Sequence, residues 1–140
     1  MRKIKFRGKR YDVEEWIYGQ GVYVKEDVQV YIFKNMGDKY KGMKWSIKVM
    51  PETVGQYIGM KDKNGREIFE GDIVEFTGDY CKLKYVGQQV GLVVWHEYSL
   101  GFRFFVNNKY YHPIDETDEP ETKIKVIGNK YQNPELLEVI

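Results

Sequence analysis

A chain of 140 residues with 42% hydrophobic and 31% charged side chains is long enough for one ordinary domain with an extension, and too apolar to stay disordered. Its 12 Tyr, 7 Phe and 3 Trp and its lack of any alanine argue against a helical bundle and suit a pleated sheet. A net charge of +1 predicts no polyanionic partner by itself, and a single cysteine, Cys81, excludes an intramolecular disulfide.

From the N-terminus, Arg2 to Arg7 alternates: Ile4 and Phe6 share one face, and Lys3, Lys5 and Arg7 the other, which predicts a half-buried strand. Between Val13 and Val24 the apolar run is broken by Gly19 and Gly21, so two short strands or one kinked strand are expected. Val28, Val30 and Ile32 alternate with Gln29, Tyr31 and Phe33 in the next strand. Residues 34–43 are polar and contain glycine, which reads as a loop. Trp45, Ile47 and Val49 then share a face, and Pro51 ends that run.

Val54 to Met60 is the next apolar segment, followed by the turn Asp62-Lys63-Asn64-Gly65 and then Ile68-Phe69. Glu70-Gly71-Asp72 is a second tight turn before the strand Ile73 to Phe76. Leu92 to Trp95 is apolar on both faces, as in a central strand. Phe102, Phe104 and Val106 alternate, and Asn107-Asn108 is a hairpin signal before Tyr110-Tyr111. Asp115 to Glu121 is an acidic loop, and Ile124 to Ile127 is the last strand. Asn133-Pro134-Glu135 carries the marks of a helix start, with an Asn cap and proline at the first position, but leaves room for at most one or two turns. About ten short strands with Gly/Asn/Asp turns predict an all-β fold of coiled antiparallel sheets or a small SH3-like barrel.

The charge is unevenly spread. Residues 1–50 hold 12 Lys/Arg against 6 Asp/Glu, for +6, and residues 51–140 hold 10 against 15, for −5. The first segment reads as an N-terminal β extension or subdomain and the second as the main domain. Opposite halves can pair between copies in a head-to-tail contact. No apolar run reaches membrane-span length and none of signal-peptide type follows the basic N-terminus, so a cytoplasmic location is expected.

Sites of chemistry are hard to assemble from these residues. With one cysteine and only His96 and His112, a zinc site cannot be built; His96, beside Trp95, reads as a packed histidine and His112 as a loop residue. Asp115, Glu116, Asp118, Glu119 and Glu121 lack the glycine and terminal glutamate of a calcium loop. Gly19-Gln20-Gly21 does not continue into a dinucleotide fingerprint, and neither Ser46 nor Ser99 has a nucleophile-elbow pattern. Glu70, Asp72 and Glu75 are turn and strand carboxylates with no acid/base signature. The expectation is no enzyme, no cofactor, no metal and no small-molecule substrate. A basic surface of Arg2, Lys3, Lys5 and Arg7, extended by Lys82 and Lys84 with Tyr80 and Tyr85 as stacking platforms, is the candidate nucleic-acid contact. Against it, alternate basic residues are also how an edge strand blocks unwanted pairing.

Three segments carry a resemblance: Lys5-Phe6-Arg7-Gly8, the block from Gln56 to Val74 centred on Asn64-Gly65, and Val126 to Leu137. Together they resemble the YopX-like proteins of bacteriophages and prophages. The resemblance implies a β-rich fold of coiled sheets, a barrel-like domain over residues 51–140, homo-oligomeric assembly, a bacterial cytoplasm and no established activity. It brings no catalytic or ligand residues. The functional expectation is a self-assembling accessory protein, with a nucleic-acid-binding oligomer or a binder of a host protein as alternatives.

Overall fold

Short apolar runs punctuated by turn residues yield strands of three to eight residues throughout. The structure is a computed structural model and describes residues 3–34, 46–76, 89–106, 110–113 and 123–138, the fourth of these segments by its backbone only. Its strands are β1 (Phe6–Lys9), β2 (Trp16–Gly19), β3 (Gly21–Lys25), β4 (Gln29–Phe33), β5 (Ser46–Val49), β6 (Gly55–Lys61), β7 (Glu67–Phe69), β8 (Asp72–Phe76), β9 (Gln89–His96), β10 (Gly101–Val106), β11 (Tyr110–Pro113) and β12 (Ile124–Asn129). Two 3-10 helices, Pro51–Thr53 and Pro134–Leu137, complete the described elements. The fold is all-β, as expected.

The strands form three open antiparallel sheets, in the orders β2-β1-β6-β7, β3-β4-β5 and β11-β10-β9-β8-β12. Among the described residues none closes into a barrel, which corrects the expectation of an SH3-like barrel. The reason is visible at β12. Its free edge is occupied by the Asp62 turn: Lys63 N–H donates to the Ile124 carbonyl and Val126 N–H donates to Asp62 Oδ2. An edge already bonded in this way cannot join β11 at the far side of the sheet.

The chain divides into two compact units, Met1–Tyr57 and Ile58–Ile140. The core of the first is Ile17, Val30, Ile32 and Val49, with Val22, Ile47 and Val54 packed around it. Gly19 lets β2 approach β4 closely, since a Cβ there would lie 2.1 Å from the Phe33 carbonyl oxygen. The β3–β4 hairpin turns through Glu26 and Asp27, with φ of 53° and 60°. Neither residue is the glycine or asparagine that such a reversal favours, and the sequence does not announce it. Residues 34–43 and Trp45 lie outside the described residues except Lys34.

The core of the second unit is Ile68, Val74, Phe76, Val93, Phe104, Val106, Ile124 and Val126, with Ile58 and Met60 packed against it. Phe76 and Phe104 stack with ring centroids 5.4 Å apart. β9 is central, between β8 and β10, as its sequence predicts. Gly65 takes φ of 81°, the left-handed conformation expected of the Asn64-Gly65 turn. At the end of β12, Asn133 Oδ1 accepts the backbone N–H of Asn129 instead of capping the helix it precedes. The predicted helix start is therefore real in position, with Pro134 at its first residue, but the Asn side chain points backward and the turn is 3-10. The Asn107-Asn108 turn and the 115–121 acidic loop lie outside the described residues.

Candidate functional site

The basic N-terminal strand is built differently from its sequence pattern. Ile4 is 49% exposed and Arg7 only 3%, the reverse of the expected faces. The cause lies on the paired strand. The register sets Arg7 opposite Tyr18 and Lys9 opposite Trp16, so cations and aromatics share one face. The Arg7 guanidinium lies 4.8 Å from the Trp16 ring centroid and Lys5 Nζ lies 5.4 Å from that of Tyr18. A guanidinium stacked on an indole tolerates burial better than an ammonium would. Arg7 is thus a packing residue and not part of an open phosphate-tracking surface. Lys3 is exposed and Lys5 half-buried, while Arg2 and the residues Tyr80, Lys82, Lys84 and Tyr85 lie outside the described residues.

Local acids take up much of the remaining positive charge. Lys9 Nζ sits 2.6 Å from Glu14, and Arg10 reaches Asp12 at 2.9 Å and Glu15 at 3.2 Å. The hydrogen bond from Arg10 holds the Asp12 carboxyl below its ordinary value, and the same bond raises Arg10. Lys48 Nζ lies 4.4 Å from the ring of Tyr11, which is 66% exposed.

The carboxylates of the central block serve the backbone. Asp62 Oδ1 accepts the N–H groups of Asn64 and Arg66, both at 2.9 Å, and Asp72 Oδ2 accepts Phe69 N–H at 2.8 Å. Glu70 is held above its ordinary value by burial, with Lys130 acting in the opposite sense. The Asp62 and Asp72 carboxylates thus lock turns. Among the described residues no group of three or more His, Cys, Asp or Glu side chains is placed to hold a metal ion. Cys81, the side chain of His112 and the acidic cluster from Asp115 lie outside what is described.

The feature that the sequence reading passed over is the β9–β10 hairpin. Among the described residues, β8 pairs with β9 from Gln89 to Leu92, and β11 pairs with β10 from Arg103 to Val106. Residues 94–102 form the outer part of the β9–β10 hairpin, here called the arm, beyond the bond that Gly71 N–H gives to the Val93 carbonyl at 2.8 Å. The arm carries large apolar side chains into water: Trp95, Tyr98 and Leu100 are 47%, 95% and 76% exposed. Trp95 and Phe102 meet edge to face across the arm, 5.3 Å apart. At the tip, Ser99 Oγ lies 2.7 Å from His96 Nδ1 and accepts Arg103 Nε–H at 3.1 Å. Leu100 takes φ of 51°, a strained conformation for a leucine. Between the arm and β6 runs a groove of about 380 Å³, walled by Ile58, Met60, Leu100 and Phe102, with Ser99 and Arg103 at its polar side. The sequence signal was present as apolar residues crowded around the turn Ser99-Leu100-Gly101. The even alternation of the strands masked it.

An all-β protein of open sheets, with a hairpin that exposes large apolar side chains, is the class that the fold and its surface define. The family model described as YopX protein matches residues 5–138, and the chain belongs to the YopX family. Among solved structures, the crystal structure of protein EF1440 from Enterococcus faecalis is similar, at 23% identity and a TM-score of 0.50. The similarity covers 96% of this chain and 97% of that one, and concerns the fold alone. No curated protein matches the chain.

Proposed function

We propose that this chain is a non-enzymatic accessory protein that works by self-association, in the phage or prophage setting that its family resemblance implies. The observation that carries this reading is the β9–β10 arm, which holds Trp95, Tyr98 and Leu100 in water. Three large apolar side chains exposed within six residues of one hairpin are a mark of an interaction site. The opposite charges of residues 1–50 and 51–140 are compatible with contact between copies, although Lys9 and Arg10 spend theirs on neighbouring acids. No helix among the described residues is long and apolar enough to cross a membrane.

Sedimentation velocity at low and high salt tests the reading. An assembly through apolar surface persists at high salt, whereas one driven by charge dissociates. A monomer at both salts and at high protein concentration refutes self-association.

A second reading, nucleic-acid binding, rests on Lys5 beside Tyr18 and Lys48 beside Tyr11, two aromatics exposed next to cations. A gel shift at about 100 mM salt with Lys3, Lys5 and Lys48 changed to Ala tests it. Binding that those changes abolish supports this reading, and an absence of binding by the unaltered protein rules it out.

A further inference from the structure

We infer that the groove beside the arm is the receptor for Tyr98 of a second copy, and that the two copies exchange their arms reciprocally. This rests on the self-association reading and names the surface that performs it. Four observations converge on one occupant.

The first is shape. A groove of about 380 Å³ lies at the lower end of volumes that enclose a small molecule, so it takes one or two side chains. Tyr98 is 95% exposed, so it does not fill the groove of its own chain. It stands on the same hairpin whose flank forms the groove wall, which places projection and recess on one patch. A patch that holds both can satisfy both at once about a two-fold axis.

The second is chemistry. A tyrosine entering an apolar recess needs a partner for its phenol. The walls are Ile58, Met60, Leu100 and Phe102, and the polar side offers Ser99 and the cation of Arg103. These suit an aromatic ring with a hydroxyl at its end.

The third is charge. Glu97 is exposed next to Tyr98 on the tip, while Arg103 lines the groove and the exposed Lys61 follows Met60 at its end. An acidic tip entering a basic-sided groove is complementary, and reciprocal docking makes that pairing twice.

The fourth is area. A tyrosine contributes on the order of 150–250 Å². Two such insertions, with the groove walls and the edges of Trp95 and Leu100, approach the roughly 1,000 Å² that a specific interface needs.

The experiment uses the full chain and light-scattering mass measured across a dilution series. The variants are Tyr98→Asp, Glu97→Lys and Arg103→Glu. Tyr98→Asp alters an exposed side chain and leaves the thermal unfolding midpoint near that of the unaltered protein, which is checked alongside. It is expected to weaken association by on the order of tenfold or more. Glu97→Lys alone and Arg103→Glu alone each place like charges together at both contacts and are expected to be monomeric. Their equimolar mixture restores opposite charge at both contacts and is expected to give a dimer of one chain of each kind. If the unaltered protein is monomeric, both the self-association reading and this inference fail. If it is oligomeric and Tyr98→Asp leaves the mass unchanged, the inference fails and self-association stands on another surface. If Tyr98→Asp dissociates the oligomer but the mixture stays monomeric, Tyr98 docks elsewhere and the groove is the wrong receptor.

Discussion

Asp62 Oδ2 accepts the backbone N–H of Val126 at 2.9 Å, a bond that joins positions 64 apart in the chain. Asp62 Oδ1 meanwhile accepts Asn64 and Arg66 N–H, so one buried carboxylate closes its own turn and fastens it to β12. Two of the three segments that carry the family resemblance meet here. Their pairing gives the shared wording of both a structural cause.

Asp62 is therefore expected to be among the most sensitive polar residues of the second unit. Asp62→Ala leaves three backbone N–H groups without their acceptor, that of Val126 in a buried place, and is expected to cost about 3–5 kcal/mol. Asp62→Asn keeps one oxygen but sets an amide N–H₂ against one of the donors, for about 2 kcal/mol. Urea denaturation of the two variants measures both. A loss under 1 kcal/mol for the alanine variant would remove the carboxylate from this structural role.

Two glycines separate backbone conformation from crowding. Gly65 has φ of 81° and nothing within 4 Å of an added Cβ, so Gly65→Ala pays only for conformation, about 1–2 kcal/mol. At Gly19 an added Cβ meets the Phe33 carbonyl oxygen at 2.1 Å, and β2 must move away from β4. Gly19→Ala is expected to cost more, about 3 kcal/mol. Equal losses in urea titrations of the two variants would contradict this distinction.

The β3–β4 turn is expected to be improvable. Asp27 is held at φ of 60°, which glycine adopts without penalty. Asp27→Gly should raise stability by about 0.5–1 kcal/mol, read as a higher urea midpoint with an unchanged slope.

Glu70 gives a pH dependence. Burial raises its carboxyl above the ordinary value of 4.5, so the folded state holds the proton more tightly than the unfolded chain does. The stability this contributes is fully present below pH 4.5 and is lost as pH rises through the higher folded value. Glu70→Gln removes the ionisation. It is expected to stabilise the protein at pH 7 relative to the unaltered chain, with the gap closing on acidification toward pH 4. A gap that is unchanged across that range would show that ionisation of Glu70 carries no such cost.

Much of the strand order was legible because turn residues and alternation act locally. The Asn64-Gly65 and Gly71 turns, the division at Gly19 to Gly21 and the central β9 all follow from short-range chemistry. Alternation states that two faces differ but not which is inward, and at β1 a partner decided it: Trp16 across the pair accepts Arg7, and Ile4 is left outside. Asn133 likewise accepts the Asn129 N–H and makes no side-chain bond to the helix it precedes. The missing barrel was beyond the sequence, since it depends on the Asp62 turn bonding to a strand far along the chain. The β9–β10 arm was hidden for a related reason. Strand length is written locally, but which hairpin side chains stay exposed is a property of the assembled sheet.

The central claim is that this chain acts by associating with itself, and the molar mass of the unaltered protein in solution tests it most directly. Light scattering over a dilution series at physiological salt should give twice the chain mass of 16.7 kDa or a higher multiple, falling toward the single-chain value on dilution. A mass of one chain at every concentration would contradict the account.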